Sequence, residues 1–317
     1  MNDMLRVKYA KYTLLDGSTR ELVQKVADGS IITRFDKTPV PEEPTNVVCP
    51  HFLELKWANG CPYNCAWCYL QGTFRFTGKQ PRIKDYDKIA KHVETFLSNG
   101  SQPEILNTGE LAVSLLSEKT DNPFSKFMIP TFEKQSKHKI LFLTKSTNIG
   151  NLLKIDKHDT VILSFSMNAL PVAEKWEKAP KVEDRIKAAK QVADAGYEVR
   201  IRIDPMVPVF EWEEYYVDLV DRIFGSFVPE RITLGSLRGL QSTINNSKDR
   251  SWVKFLSEKS NWGKKIDTDT RYAMYKRIID YLKDGYDYQK VALCKETVDM
   301  WNRLGMDYKK IKCNCVW

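Results

Sequence analysis

No apolar run in this chain is long enough to cross a bilayer. The longest, such as residues 161–165, are a handful of residues, where about twenty are needed. The opening MNDMLRVKYAKYTLLDG has neither the apolar core nor the small-residue cleavage site of a secretory leader, so a cytoplasmic protein with no membrane partner is expected. Histidine is scarce: His51, His92, His138 and His158 are scattered, which argues against a histidine-based metal centre. Repeats and low-complexity tracts are also missing, which excludes solenoid and disordered classes. What remains is an ordinary globular composition, 42% hydrophobic and 28% charged over 317 residues. The net charge of +8 permits a polyanionic partner without requiring one.

Cysteine is the residue that stands out. Seven is an odd number, and the clustering at Cys61, Cys65 and Cys68, and again at Cys313 and Cys315, is not the even framework of a small secreted domain. In a reducing compartment such groups read as metal or cluster ligands.

β-rich stretches are expected at residues 52–57, 104–106, 140–144, 161–165, 199–203 and 232–234. Helical patterns separate them, at about 86–97, 125–133, 182–195 and 211–224, with one more near 269–282. Gly196 stops the third of these just before a strand. Six alternations of this kind predict an α/β fold, a parallel sheet with helices on its outer face. Residues 1–45 read as an N-terminal extension, 46–240 as the α/β body and 241–317 as a C-terminal cysteine-bearing segment. The polar motifs fall where strands end, which is where α/β barrels assemble active sites.

The stretch GCPYNCAWCYLQG spaces three thiols as Cys-x3-Cys-x2-Cys. A structural zinc site usually takes four protein ligands, often as two distant pairs. Three thiolates on one loop suit an iron–sulfur cube with one iron left open, and a zinc site completed by a remote cysteine stays as the other reading. With Trp67 before the third cysteine, CPYNCAWC resembles the loop of the radical S-adenosylmethionine (SAM) superfamily. The resemblance implies a partial parallel (β/α)6 barrel, a 4Fe–4S cluster on Cys61, Cys65 and Cys68, and SAM held on the open iron.

It also implies a reductive cleavage that gives a 5′-deoxyadenosyl radical, with an electron donor such as flavodoxin or ferredoxin. On that reading Gly109 and Glu110 in NTGE accept from the SAM amino group, and Lys145 in LTKSTN meets its carboxylate. Ser166 and Asn168 in SFSMN add polar groups, Arg202 serves the ribose or sulfonium end, and Trp67 lies near the adenine.

LNTGELAVSL, FLTKSTN, SFSMNA and the run EDRIKAAKQVADAGYEVRIRIDPMVP are similar to the spore photoproduct lyase-like branch of that superfamily. The resemblance implies a catalytic role for Tyr69, directly after the third cysteine. The lyase's hydrogen-donor cysteine falls in the segment that reads ILNTGELAV here, which has none. Thr108 stands at about that place and is, with Tyr69, a candidate for both the catalytic and the cofactor-binding set, though a hydroxyl is a poorer hydrogen-atom donor than a thiol. The substrate class therefore stays open among nucleic acid or nucleotide, peptide and small metabolite.

Cys294, Cys313 and Cys315 in the tail are read as ligands of an auxiliary cluster, with zinc, a redox pair or free thiols as the alternatives, and Cys49 as a packed thiol or a fourth ligand. Residues 245–290 mix eleven Lys/Arg and seven Asp/Glu with eight aromatics, read as core packing ahead of a nucleic-acid surface. The rival to an enzyme is a zinc- or iron–sulfur-bearing nucleic-acid-binding protein without radical catalysis.

Overall fold

The structure, a computed structural model, describes residues 5–76, 80–99 and 102–317. The first four residues of the N-terminal extension lie outside them. Its centre is one sheet of ten strands among the described residues. Val7–Thr13, Thr19–Val26 and Ile32–Phe35 form an antiparallel meander, and Ile32–Phe35 pairs antiparallel with Phe52–Leu55. From Phe52–Leu55 onward every pairing is parallel: Ile105–Asn107, Lys139–Thr144, Val161–Met167, Glu198–Met206, Ile232–Ser236 and Val291–Leu293 follow in chain order. This is the expected α/β architecture, a partial parallel barrel, with a seventh parallel strand that the sequence pattern does not announce. Val-Ala-Leu is too short to register as a strand, and it is identified only by its pairing with Ile232–Leu234.

Tyr86–Asn99, Phe124–Phe132, Val182–Asp194, Trp212–Phe224 and Thr268–Tyr286 are helical, within a few residues of the expected bounds. Their apolar faces (Ile89, Val93 and Phe96; Ala188, Ala189 and Val192; Leu219, Val220 and Ile223) are buried in one continuous core. Alternation along the strands decides what faces where. On Val161–Met167, Leu163 and Phe165 belong to the core under the helices, while Ser164 and Ser166 face the barrel interior. In the 245–290 region, Trp252, Tyr275 and Tyr288 are buried, and Tyr281 and Tyr286 hydrogen-bond Asp221 at 2.6 and 2.7 Å. These rings are packing residues, as the periodicity suggested, and the buried ones offer no platform for stacked bases.

The tail does something the sequence does not indicate: it threads into the barrel. Asn314 is fully buried, and its side chain donates to Ser164 Oγ (2.8 Å) and the Ile201 carbonyl (3.1 Å) while accepting from Thr233 Oγ1 (2.7 Å). Its backbone N–H donates to Thr233 Oγ1 at 2.9 Å. Arg200 donates to the carbonyls of Asn314 and Val316, and Arg231 to those of Cys313 and Val316. Three neighbouring strands thus hold one residue of the tail through paired polar groups, as buried polar groups require.

His138, at the foot of Lys139–Thr144, is fully buried against Phe96 (4.7 Å between ring centroids), and both ring nitrogens lack partners among the described residues. Burial, aided by Lys137, pushes its pKa down to about 4. Between its ordinary pKa and that value the unfolded chain binds the proton and the folded chain does not, so stability falls as pH falls through this window. Urea unfolding at pH 7.5 and pH 5 should show the native protein losing about 2 kcal/mol more than His138→Leu. An equal loss in both would mean that His138 is protonated in the fold.

Candidate functional site

A cavity of about 470 Å³ opens at the C-terminal ends of the parallel strands, and Cys61, Cys65 and Cys68 line it. Their loop is held by main-chain bonds: Gly60 N–H donates to the Leu111 carbonyl (2.8 Å), Ala66 N–H to Trp176 (2.8 Å) and Cys68 N–H to Cys65 (3.0 Å). Gly60 has φ +96°, a conformation that favours glycine, which lets the strand turn sharply into the loop. Behind it, the short helix Leu70–Thr73 packs on Gln241–Asn246, where Gly72 leaves space that a Cβ would take from Ser242. Gln71 Nε2 donates to the Cys65 carbonyl, and Ser247 Oγ to that of Ala66 at 2.7 Å.

Burial raises all three thiols, Cys65 to about 11 and Cys68 to about 12. Among the described residues no three His, Cys, Asp or Glu side chains converge on the position of a single ion. A cube does not ask for that, because each thiolate binds a different iron. Three sulfurs on one loop facing open space therefore fit an iron–sulfur cluster with one iron free better than a lone zinc ion.

The expected SAM residues are only partly brought together. Gly109, Glu110, Lys145, Ser166, Arg202, Trp67 and Tyr69 all line the cavity. Gly109 has no room for a side chain, since a Cβ would collide with Leu143. Asn107 orders this turn: its Oδ1 accepts from Gly109 N–H (2.9 Å) and its Nδ2 donates to Glu110 Oε1 (3.3 Å). Tyr69 hydroxyl donates to the Glu110 carbonyl, which ties the ring to the Glu110 turn. Trp67 leans on Trp176 at 5.7 Å between ring centroids.

Two expectations find different places. Thr108 is buried outside the cavity, its hydroxyl hydrogen-bonded with Ser114 Oγ (2.8 Å) and the Leu141 carbonyl (2.9 Å). Strand alternation turns it towards the helices. Asn168 is also buried, donating to the Pro205 carbonyl (2.9 Å) and accepting from Tyr216 hydroxyl and Ala169 N–H. It braces the irregular end of the strand Glu198–Met206 instead of reaching the cavity.

Sequence reasoning missed Glu177 and Arg185. Glu177, fully buried, ion-pairs with Arg185 at 2.7 Å and with Lys145 at 3.1 Å, and Lys145 also donates to Ser166 Oγ at 3.1 Å. Burial would raise the Glu177 carboxyl, but Lys145 and Arg185 outweigh it and hold it below the usual range. One anion between two cations leaves a positive surplus, and Lys145 presents it to the cavity. No signal in the EKWEKAP stretch marks Glu177 as different from its neighbours; only the fold does. A second pair, Asp204 with Arg238 (2.8 Å), also lines the cavity, as does Arg202.

The barrel and its three-cysteine loop are those of the radical SAM enzymes. The spore photoproduct lyase family model matches residues 52–235, and the chain belongs to that family. Curated spore photoproduct lyases of Clostridium acetobutylicum and Bacillus subtilis are 26% and 25% identical to it over 178 and 173 residues. Each match takes in 53% of this chain and 51% or 50% of the relative, so the chain spans about half the length of these curated relatives. Among solved structures, a spore photoproduct lyase complexed with dinucleoside spore photoproduct aligns at TM-score 0.64, with 17% identity over 76% of this chain and 75% of the other. Streptococcus suis SuiB bound to SAM aligns at 0.51, with 15% identity over 79% of this chain and 52% of the other. These structural likenesses establish the shared fold.

Replacing Glu177 by Gln leaves the buried Arg185 without its anion, next to a second cation on Lys145, and should lower unfolding stability by about 3–5 kcal/mol. Lys145→Met leaves the Glu177–Arg185 pair intact and should cost clearly less. Urea denaturation of the two variants checks the order, and equal losses would mean that Lys145 is needed to neutralise Glu177.

Proposed function

We propose that this chain is a radical SAM enzyme with its cluster on Cys61, Cys65 and Cys68 and its SAM beside Glu110, Lys145 and Ser166. The observation that carries this is the placement of the three-thiol loop, the Glu110 turn and the Lys145 surplus charge around one cavity at the strand ends. When bound and reduced, the cluster would supply the electron that cleaves SAM to methionine and a 5′-deoxyadenosyl radical, which takes hydrogen from the substrate.

The chain's own residues position and shield. Glu110 and the carbonyls of its turn offer acceptors to an ammonium, and Lys145 offers a donor and a charge to a carboxylate. Ser166 holds Lys145 in place, and Trp67 walls the cavity with an apolar face. Arg202 and the Asp204–Arg238 pair supply polar groups deeper in the cavity. Electrons would come from a flavodoxin- or ferredoxin-type donor.

The substrate is a molecule that reaches this cavity. Known structures of the fold include one complexed with a dinucleoside lesion and one bound to a precursor peptide. Thymine-dimer repair is not carried over to this chain, because residues 105–113 hold no cysteine and the Thr108 hydroxyl is engaged elsewhere.

Anaerobic protein, reconstituted with iron and sulfide and reduced by dithionite, should release 5′-deoxyadenosine from SAM. Cys68→Ala should release none. A fully loaded wild-type cluster that forms no 5′-deoxyadenosine would overturn the assignment.

A further inference from the structure

The same cavity is lined by all seven cysteines, and four of them do not belong to the loop just described. Cys49, Cys294, Cys313 and Cys315 come from three separated parts of the chain, and the fold gathers them by identifiable means. Val47–Val48 pairs antiparallel with Glu296–Thr297, Val48 opposite Glu296, which sets Cys49 beside the Cys294–Lys295 turn. Cys294 itself follows the last parallel strand, its N–H donating to the Leu234 carbonyl at 2.7 Å. Cys313 and Cys315 flank Asn314, and the polar anchoring of Asn314 in the barrel delivers both sulfurs to the cavity from below. All four lie outside residues 52–235, the segment matched by the family model.

The surroundings are set up for anionic sulfur. Arg202 Nη2 donates to Cys315 Sγ at 3.1 Å, Asn107 Nδ2 to the same sulfur at 3.6 Å, and Arg238 Nη2 to Cys294 Sγ at 3.5 Å. Among the described residues Arg202 has no carboxylate within ion-pair distance, and its Nε is buried without a partner. Lys295 likewise pairs with no carboxylate, lying over the rings of Trp262 (3.9 Å) and Phe35 (4.6 Å). A guanidinium stays charged in a protein, so an enclosed one needs an anion. The group that Arg202 meets is a sulfur.

We propose that Cys49, Cys294, Cys313 and Cys315 bind a second iron–sulfur cluster, closed by four protein thiolates and facing the same cavity as the first. Free thiols would leave Arg202 with a neutral sulfur as its nearest partner, whereas a metal-bound thiolate supplies an anion at that position. A zinc ion fits less well. Its tetrahedral ligands must meet at one point, and among the described residues no three of these side chains do. A cube spreads its thiolates over four irons, and N–H donors to the sulfurs, as from Arg202, Arg238 and Asn107, are a means of tuning its potential. With four ligands it has no iron to offer a substrate, so its place is to hold an electron beside the reaction. That these four cysteines hold a cluster stands on their own surroundings, whereas its place beside a reaction rests on the function proposed above.

The test is anaerobic determination of iron, sulfide and zinc, with Mössbauer spectra, on three full-length proteins. Wild type should hold about eight irons and eight sulfides, as two cubes require. The Cys61→Ala/Cys65→Ala/Cys68→Ala variant should keep about four irons in a cube whose EPR signal is indifferent to SAM. Cys313→Ala/Cys315→Ala should lose that cube and keep the SAM-responsive one. The loop variant leaves the tail intact, so it decides the matter even if the tail variant fails to fold. A loop variant without iron, or with zinc in place of iron, overturns the proposal, as does a wild type with about four irons all lost with the loop cysteines.

Discussion

The side chain of Asn314 is the contact on which the rest of the interior depends. A partial barrel has an open interior that must be filled, and here a polar tail fills it, not a layer of branched apolar side chains. The cost of burying an amide is met because Ser164, Thr233 and the Ile201 carbonyl satisfy it from three adjacent strands. One consequence is mechanical, since the tail closes the barrel below the cavity. The other is chemical, since its neighbours Cys313 and Cys315 become part of the cavity wall.

Above that plug the site is organised by buried charge that is left deliberately unequal. Glu177 serves both Lys145 and Arg185, so the cavity receives a net positive contribution from that side. Arg202 and Lys295, without carboxylate partners among the described residues, add to it from the tail side. In an enclosed space such excess cations are costly unless an anion completes them. A SAM carboxylate at Lys145 and anionic sulfur at Arg202 are what each surplus is suited to meet. The Asp204–Arg238 pair is self-balanced and asks for neither.

Much of this was legible in the sequence because it is local. Helix periodicity, the x3–x2 cysteine spacing and the strand-end position of Gly109–Glu110 and Lys145 are all written within short windows. The misses share a cause, which is dependence on contacts distant in the chain. Val291–Leu293 is a strand only through its partner, Glu177 matters only because Lys145 and Arg185 arrive beside it, and Cys49 meets Cys294 through a two-residue pairing. Thr108 was misplaced because it is next to inward-facing Asn107 at a strand end and so takes the opposite face. Asn168 was misplaced because it lies just past the end of Val161–Met167, where its side chain is taken up by Pro205 and Tyr216. For residues 245–290 the sequence favoured core packing over a base-stacking surface, and burial of Trp252 and Tyr275 agrees with the core.

The central claim is that one iron of the Cys61–Cys65–Cys68 cluster is open to SAM in this cavity. The most direct measurement is electron–nuclear double resonance on the reduced protein with SAM labelled by 15N in its amino group and 17O in its carboxylate. Hyperfine coupling of both labels to the cluster is the predicted result. A fully loaded, reduced cluster that shows neither coupling at saturating SAM would contradict it.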